Sequence, residues 1–244
     1  HFEPNWIESI PDIDNGIILC ENVRFHEGET SNSEAFSKQI ASLCDVYVMD
    51  AFGAAHRKHA TTYGVITFVQ IACAGPLLTS EIESLSKAMQ EPERPLVAII
   101  GGAKVSSKLG VIEALTDICD HIIVGGGIAN TFLAATGIET GNSLVEKDMI
   151  TVARNILESN KVNVPLPRDV MVAKELSQES EAVRKSVVDI EKDDQVLDIG
   201  PKTAQAYKSI IDSARTIIWN GPLGVFEIDQ FSRGTQALAL AVAE

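Results

Sequence analysis

A strand that stops at glycine, four times over, is the feature that most narrows what this chain can fold into. Leu96-Val97-Ala98-Ile99-Ile100 runs into Gly101-Gly102, and Ile122-Ile123-Val124 runs into Gly125-Gly126-Gly127. Val196-Leu197-Asp198-Ile199 meets Gly200-Pro201, and Thr216-Ile217-Ile218-Trp219 meets Asn220-Gly221-Pro222. Glycine lets backbone come close to a ligand, and a helix that starts there aims unpaired N–H groups at an anion. Four such turns in register predict a nucleotide or phosphate site along the carboxyl edge of a parallel sheet.

The same rhythm extends towards the start of the chain. Ile17-Ile18-Leu19-Cys20 reads as a buried strand, and residues 31–43 read as a helix with Phe36, Ile40 and Leu43 at helical spacing. Val46-Tyr47-Val48-Met49 is a strand, 51–62 a loop of small and polar residues, and Val65-Ile66-Thr67-Phe68 a further short strand. Pro76 opens an amphipathic helix whose Leu78, Ile82, Leu85 and Met89 share one face. It ends at the stiff polar run Glu91-Pro92-Glu93-Arg94-Pro95. Beyond it, 105–115, 130–135 and 203–211 supply helices, 165–174 a short strand, and 178–194 a charged surface stretch.

The expected fold class is therefore α/β, with two Rossmann-like parallel-sheet domains joined by a hinge helix. Residues 1–74 form the first domain, 75–92 the hinge helix and 93–244 the second, the two domains facing each other across a cleft. The chain opens on His1 and stops within a helical pattern over 236–244. It is expected to be a piece of a longer protein, with the first domain and the end of the second incomplete.

Composition removes several function classes. A formal charge of −14 argues against general nucleic-acid binding and against anionic membrane surfaces. Any phosphate site must then be a local exception. No apolar run approaches the roughly 20 residues that span a bilayer, and no signal-peptide pattern opens the chain. Cys20, Cys44, Cys73 and Cys119 form no C-x-x-C pair and sit in or beside apolar runs, as free thiols do in a reduced, cytoplasmic protein. A zinc site is not expected, and His56 and His59 have no evident third ligand.

Lys104 and Lys108 follow Gly101-Gly102 and are four residues apart, which places them on one face at the positive end of a helix. There they suit a transferring phosphoryl group, or else form a solvated pair after an ordinary turn. The spacing is not that of a Walker A loop. Gly125-Gly126-Gly127 begins like a dinucleotide-binding turn, but Asn130 stands where the last glycine of that pattern belongs. Glu227, in the loop after Asn220, suits ribose hydroxyls or a helix start. Arg24 and the run His56-Arg57-Lys58-His59 are a positive exception in an acidic chain. Both arginines follow apolar strands, which favours a shared site for a small anion.

Taken together, these strings resemble the phosphoglycerate kinase family: Glu21-Asn22-Val23-Arg24-Phe25, Asp50-Ala51-Phe52-Gly53-Ala54-Ala55-His56-Arg57, Gly101-Gly102-Ala103-Lys104-Val105, Gly125-Gly126-Gly127-Ile128-Ala129-Asn130-Thr131-Phe132, Leu197-Asp198-Ile199-Gly200-Pro201 and the run from Trp219 to Glu227. The resemblance implies reversible phosphoryl transfer between 1,3-bisphosphoglycerate and ADP, giving 3-phosphoglycerate and ATP, as in glycolysis and gluconeogenesis. It implies that Arg24 and Arg57 bind the anionic groups of 3-phosphoglycerate. Lys104 and Lys108 would lie at the nucleotide phosphates as catalytic residues. Gly127, Gly200, Asn220, Pro222 and Glu227 would line the nucleotide pocket, with Glu227 at the ribose.

Mg²⁺ would arrive with the nucleotide, and its main protein contact is expected outside this chain. The family's amino-terminal arginine-bearing segments and its late Gly-Gly-Gly-Asp-Thr loop have no counterpart here. The chain is expected to act as a monomer, without nucleic-acid or membrane partners. Its alternative is a nucleotide-binding α/β fragment that does not turn over. A nicotinamide dehydrogenase is disfavoured by the interrupted glycine pattern.

Overall fold

The computed structural model describes residues 1–8, 10 and 15–244, in two units, His1–Lys87 and Ala88–Glu244. In the first unit, β1 (Phe2–Glu3) pairs parallel with β2 (Leu19–Cys20). The expected buried strand over 17–20 is thus reduced to two residues. It is not buried either: Ile17 is 84% and Leu19 66% exposed. With β1 as its one strand partner among the described residues, β2 has little to bury it.

Two helices follow, α1 (Glu27–Thr30) and α2 (Glu34–Ala41). Ser33 starts α2 by accepting a hydrogen bond from the Phe36 N–H at 3.4 Å, the usual service of a hydroxyl at a helix N-terminus. Phe36 and Ile40 then pack with Trp6, Ala60 and Val65 into a small core.

β3 (Val46–Met49) pairs parallel with β4 (Ile71–Ala74). The second strand lies later than the apolar run predicts. Val65–Thr67 is a 3-10 turn instead, where the Thr67 hydroxyl donates to Gly64 O at 2.7 Å and offers the backbone an alternative to a ladder. α3 (Pro76–Gln90) has the predicted limits. Asp50, at the end of β3, accepts from the Leu78 N–H at 2.8 Å and secures its first turn. Its apolar face, however, is not core: Leu78 is buried, whereas Ile82, Leu85 and Met89 are exposed.

The second unit holds the larger core. β5 (Leu96–Ile100) lies between β6 (His121–Val124) and a later strand in a parallel sheet. α4 (Leu109–Thr116), α5 (Gly126–Ala135) and α6 (Ile150–Glu158) follow β5 and β6 in the chain. β7 (Asp169–Ala173) pairs antiparallel with both β8 (Val183–Ser186) and β9 (Gln195–Ile199) in a second sheet. α7 (Pro201–Ser213), β10 (Thr216–Asn220) and α8 (Arg233–Ala243) complete the unit.

Alternation along β5 divides its side chains between two cores, because successive residues of a strand point to opposite faces. Leu96, Ala98 and Ile100 join Ile112, Phe132 and Ile156 from α4, α5 and α6. Val97 and Ile99 join Tyr207, Ile211 and Leu238 from α7 and α8. Helices therefore cover both faces, as a parallel sheet requires.

Several elements differ from the sequence expectation. β9 does not enter the parallel sheet, so three of the four glycine turns, not four, share its carboxyl edge. The stretch 178–194 contains β8 and the buried Val187, Ile190 and Asp194, because β7 needs a partner on each side. α4 starts at Leu109, after both lysines. Glu146, 40 residues away, accepts hydrogen bonds from the Ser106 N–H and hydroxyl, and this holds 104–108 as a turn. α5 starts earlier than expected, on Gly126 itself.

Candidate active site

The turns after β5, β6 and β10 interlock at one end of the parallel sheet. The Gly101 N–H donates to Asn220 O at 2.9 Å, Gly125 to Ile100 O at 3.0 Å, and Gly126 to Leu223 O at 2.8 Å. Packing is close enough to exclude a side chain. A Cβ on Gly101 would fall 1.7 Å from the Pro222 carbonyl oxygen, and one on Gly127 would fall 2.2 Å from that of Ala103. Only glycine fits at these two positions.

Lys108 lies across this junction. Its ammonium donates to Gly101 O at 2.5 Å, to Asn220 O at 3.1 Å and to Asn220 Oδ1. All three N–H groups are thereby engaged, each with an oxygen that carries no full charge. Partial burial lowers its pKa from the usual lysine value. A charge held only by neutral acceptors is well placed to gain an anion, which would supply the missing negative charge. Lys104 is exposed in the turn before α4. The two lysines do not share a helical face: Lys108 is the residue that precedes α4, and Lys104 lies earlier still. Glu146, with its pKa lowered first by the Ser106 hydroxyl and N–H, also feels the charge of Lys104.

Beside the junction is a cavity of about 340 Å³. Gly127, Pro222 and Glu227, named from the sequence, line it together with Ala103, Leu144 and Val225. The lining is mostly apolar, with one carboxylate, a composition typical of small-molecule sites. Gly200 is not brought to this cavity. It precedes α7 and lines a different one with Pro201 and Arg233, and a Cβ there would meet the Asp169 carboxylate at 2.3 Å. Leu144 and Leu176 are cavity walls that sequence reasoning missed. They lie in irregular stretches far along the chain from the glycine turns, so no local spacing could mark them.

Asp198 was also missed as an ionisable group, although an acid inside an apolar run is a legible signal. It is 2% exposed, and burial pushes its carboxyl up to about 7. Its oxygens accept from the Ile199 N–H at 2.9 Å and the Gly234 N–H at 2.7 Å, which ties β9 to the first turn of α8.

In the first unit, Arg24 lies in a 3-10 turn after β2, where Asn22 Oδ1 accepts from its N–H at 3.0 Å. Arg57 follows β3 in a bend whose N–H donates to Ala54 O at 3.0 Å. Both side chains are exposed. Their strands belong to separate two-stranded sheets, not to one common edge.

Helices on both faces of a parallel sheet, with glycine turns locked together at its carboxyl edge, define an α/β protein of the Rossmann-like class. Comparison with known proteins narrows this. The family model described as phosphoglycerate kinase matches residues 2–244. The chain is 51% identical over its whole length to phosphoglycerate kinase from Francisella philomiragia and 50% identical to that from Francisella tularensis. It spans 63% of the length of each of these relatives. Among solved structures, phosphoglycerate kinase from Coxiella burnetii matches 99% of the chain at 47% identity with a TM-score of 0.79, the match covering 63% of that protein. Phosphoglycerate kinase from Pyrococcus horikoshii matches 93% at 29% identity, also with a TM-score of 0.79, over 60% of its length. This chain belongs to the phosphoglycerate kinase family.

Proposed function

We propose that the chain supplies the nucleotide site and part of the glycerate site of an enzyme that moves a phosphoryl group between 1,3-bisphosphoglycerate and ADP. The products are 3-phosphoglycerate and ATP, as in glycolysis and gluconeogenesis, and the setting is a monomer in the cytoplasm. The observation that carries this reading is Lys108. Its ammonium sits at the interlocked glycine turns of the sheet's carboxyl edge, in the same unit as a mostly apolar cavity lined by Glu227.

In this reading the base and ribose enter the cavity, with Glu227 accepting from ribose hydroxyls. Gly127 and Pro222 form its walls. Lys108 exchanges one of its neutral acceptors for a phosphate oxygen, and Lys104 adds a second, solvent-facing charge. Asn220 holds the Lys108 ammonium in place, and Gly200 supports β9 and α7. Such chemistry needs positioning and charge neutralisation more than covalent help from the protein. Residues 1–74 bind the glycerate ligand through Arg24 and Arg57, whose planar guanidinium groups suit carboxylate and phosphate. Residues 75–92 join them to the nucleotide domain at 93–244.

Magnesium enters with the nucleotide. The residues described here do not form its site. Glu191, Asp193 and Asp194 could group around an ion, but their carboxylates are already ion-paired with Lys174 and Lys185. The cavity offers one carboxylate, Glu227, beside the amides of Asn130 and Gln195, so the nucleotide phosphates would have to supply most of the anionic oxygens around the ion.

A coupled assay of ATP-dependent 3-phosphoglycerate phosphorylation, run beside ADP calorimetry, tests the proposal. Turnover is expected of the full-length protein, and ADP binding of the 244-residue chain. Binding without turnover of the full-length protein would favour a nucleotide-binding module, and the absence of both binding and turnover would refute both readings.

A further inference from the structure

A cavity of about 490 Å³ opens between α7, α8 and the second sheet. Small residues leave the space for it: Gly200 and Ala204 at the start of α7, Gly234 and Ala237 at the start of α8. Further along, Tyr207, Ile211 and Leu238 close both helices onto the parallel sheet. Met171 and Ile199 complete an apolar wall, and no lining residue is shared with the cavity that carries Glu227. In a chain of formal charge −14, every charged side chain on this lining is a cation: Arg184, Lys208 and Arg233. Lys208 is ion-paired with Asp212 and with Glu244, each at 2.8 Å. Arg184 gives its Nε–H to the Asp169 carboxylate at 2.8 Å, which leaves the far edge of its guanidinium for another acceptor. Arg233 is exposed, and no carboxylate pairs with it among the described residues. Apolar walls with a few convergent polar groups are the usual make-up of a small-molecule site.

We propose that this cavity binds an apolar monocarboxylate, its hydrocarbon body against Met171, Ile199, Ala204 and Ala237 and its carboxylate on Arg233 and the far edge of Arg184. A carboxylate fits a guanidinium edge with two parallel hydrogen bonds. It also brings the single negative charge that Arg233 is without. A more highly charged ligand would be repelled by Asp169, Asp212 and Glu244, which already hold the other two cations. A neutral apolar molecule would gain the wall contacts but not the ion pair. The site does not depend on the nucleotide reading above.

Calorimetry on the 244-residue chain with octanoate, octanol and acetate tests the assignment. Octanoate is expected to bind about fivefold more tightly than octanol, the gain that an exposed ion pair supplies. Acetate, which has the charge without the body, should not bind measurably. Arg233→Met should weaken octanoate about fivefold and leave octanol unchanged. Ala204→Phe, which fills the cavity, should abolish binding of both. Melting temperatures check that the variants fold, and if they do not, the wild-type ratio of octanoate to octanol decides. Equal wild-type affinity for octanoate and octanol would overturn the proposal. So would the absence of saturable octanoate binding, or octanoate affinity that survives either substitution unchanged.

Discussion

β5 and β4 are both short, apolar, parallel strands, yet all five residues of β5 are buried and all four of β4 are exposed. β5 has a strand on each side and helices on both faces. β4 has β3 as its one strand partner among the described residues. The apolar run makes each of them a strand, but its neighbours decide whether it becomes core. The same contrast separates the candidate sites. Lys108 is held by three oxygens from two turns, whereas Arg24 and Arg57 project from exposed turns.

The sharpest way to break this comparison is a matched pair of truncations. Ile99→Ala should destabilise the second unit by about 2–5 kcal/mol in denaturant unfolding, since it empties a site packed on every side. A loss below 1 kcal/mol would mean the core relaxes around it. Lys108→Met comes next. Removing a charged donor should cost about 1.5–3 kcal/mol of ADP affinity, or roughly 10–150-fold in Kd by calorimetry. Arg24→Ala should leave ADP binding unchanged, and equal losses from both would erase the distinction between the units.

Asp198 offers a pH test of how firmly the larger core is closed. Burial pushes its carboxyl up to about 7, above an unfolded value near ~3.9. A raised carboxyl contributes stability that is fully present below the unfolded pKa and lost as pH rises through the folded one. Asp198→Asn does not titrate, so the stability advantage of the wild type should shrink between pH 4 and pH 8. A gap that widens with pH would mean that the Gly234 and Ile199 N–H groups outweigh desolvation. The smallest effect is expected at β4. Ile71→Ala, at a side chain 55% exposed, should change stability by no more than about 0.5 kcal/mol. A larger loss would reveal packing on that face.

Much of the architecture was legible because its signals are local. Pro76 marks the start of α3, helical spacing places α2 within 31–43, and each glycine turn ends a strand. The displaced pieces all depend on residues distant in sequence. Glu146 captures Ser106 and delays α4 past Lys108. β7 recruits both β8 and β9, which removes the Gly200 turn from the parallel edge and finds a strand in a stretch that reads as charged surface. Leu144 and Leu176 become cavity walls through long loops that carry no periodic pattern.

The sequence by itself determined that the chain would be α/β, that glycine turns would end its strands, and which family it resembles. These follow from residue types and short spacings, which act over one strand or one helical turn. Only the tertiary structure decided that three of those turns would lock together, that Lys108 would turn back onto Asn220, 112 residues away, and that Asn130 would be buried in the larger core. Such contacts are set by which segments pack against which, and the energy of that packing is shared across the whole fold.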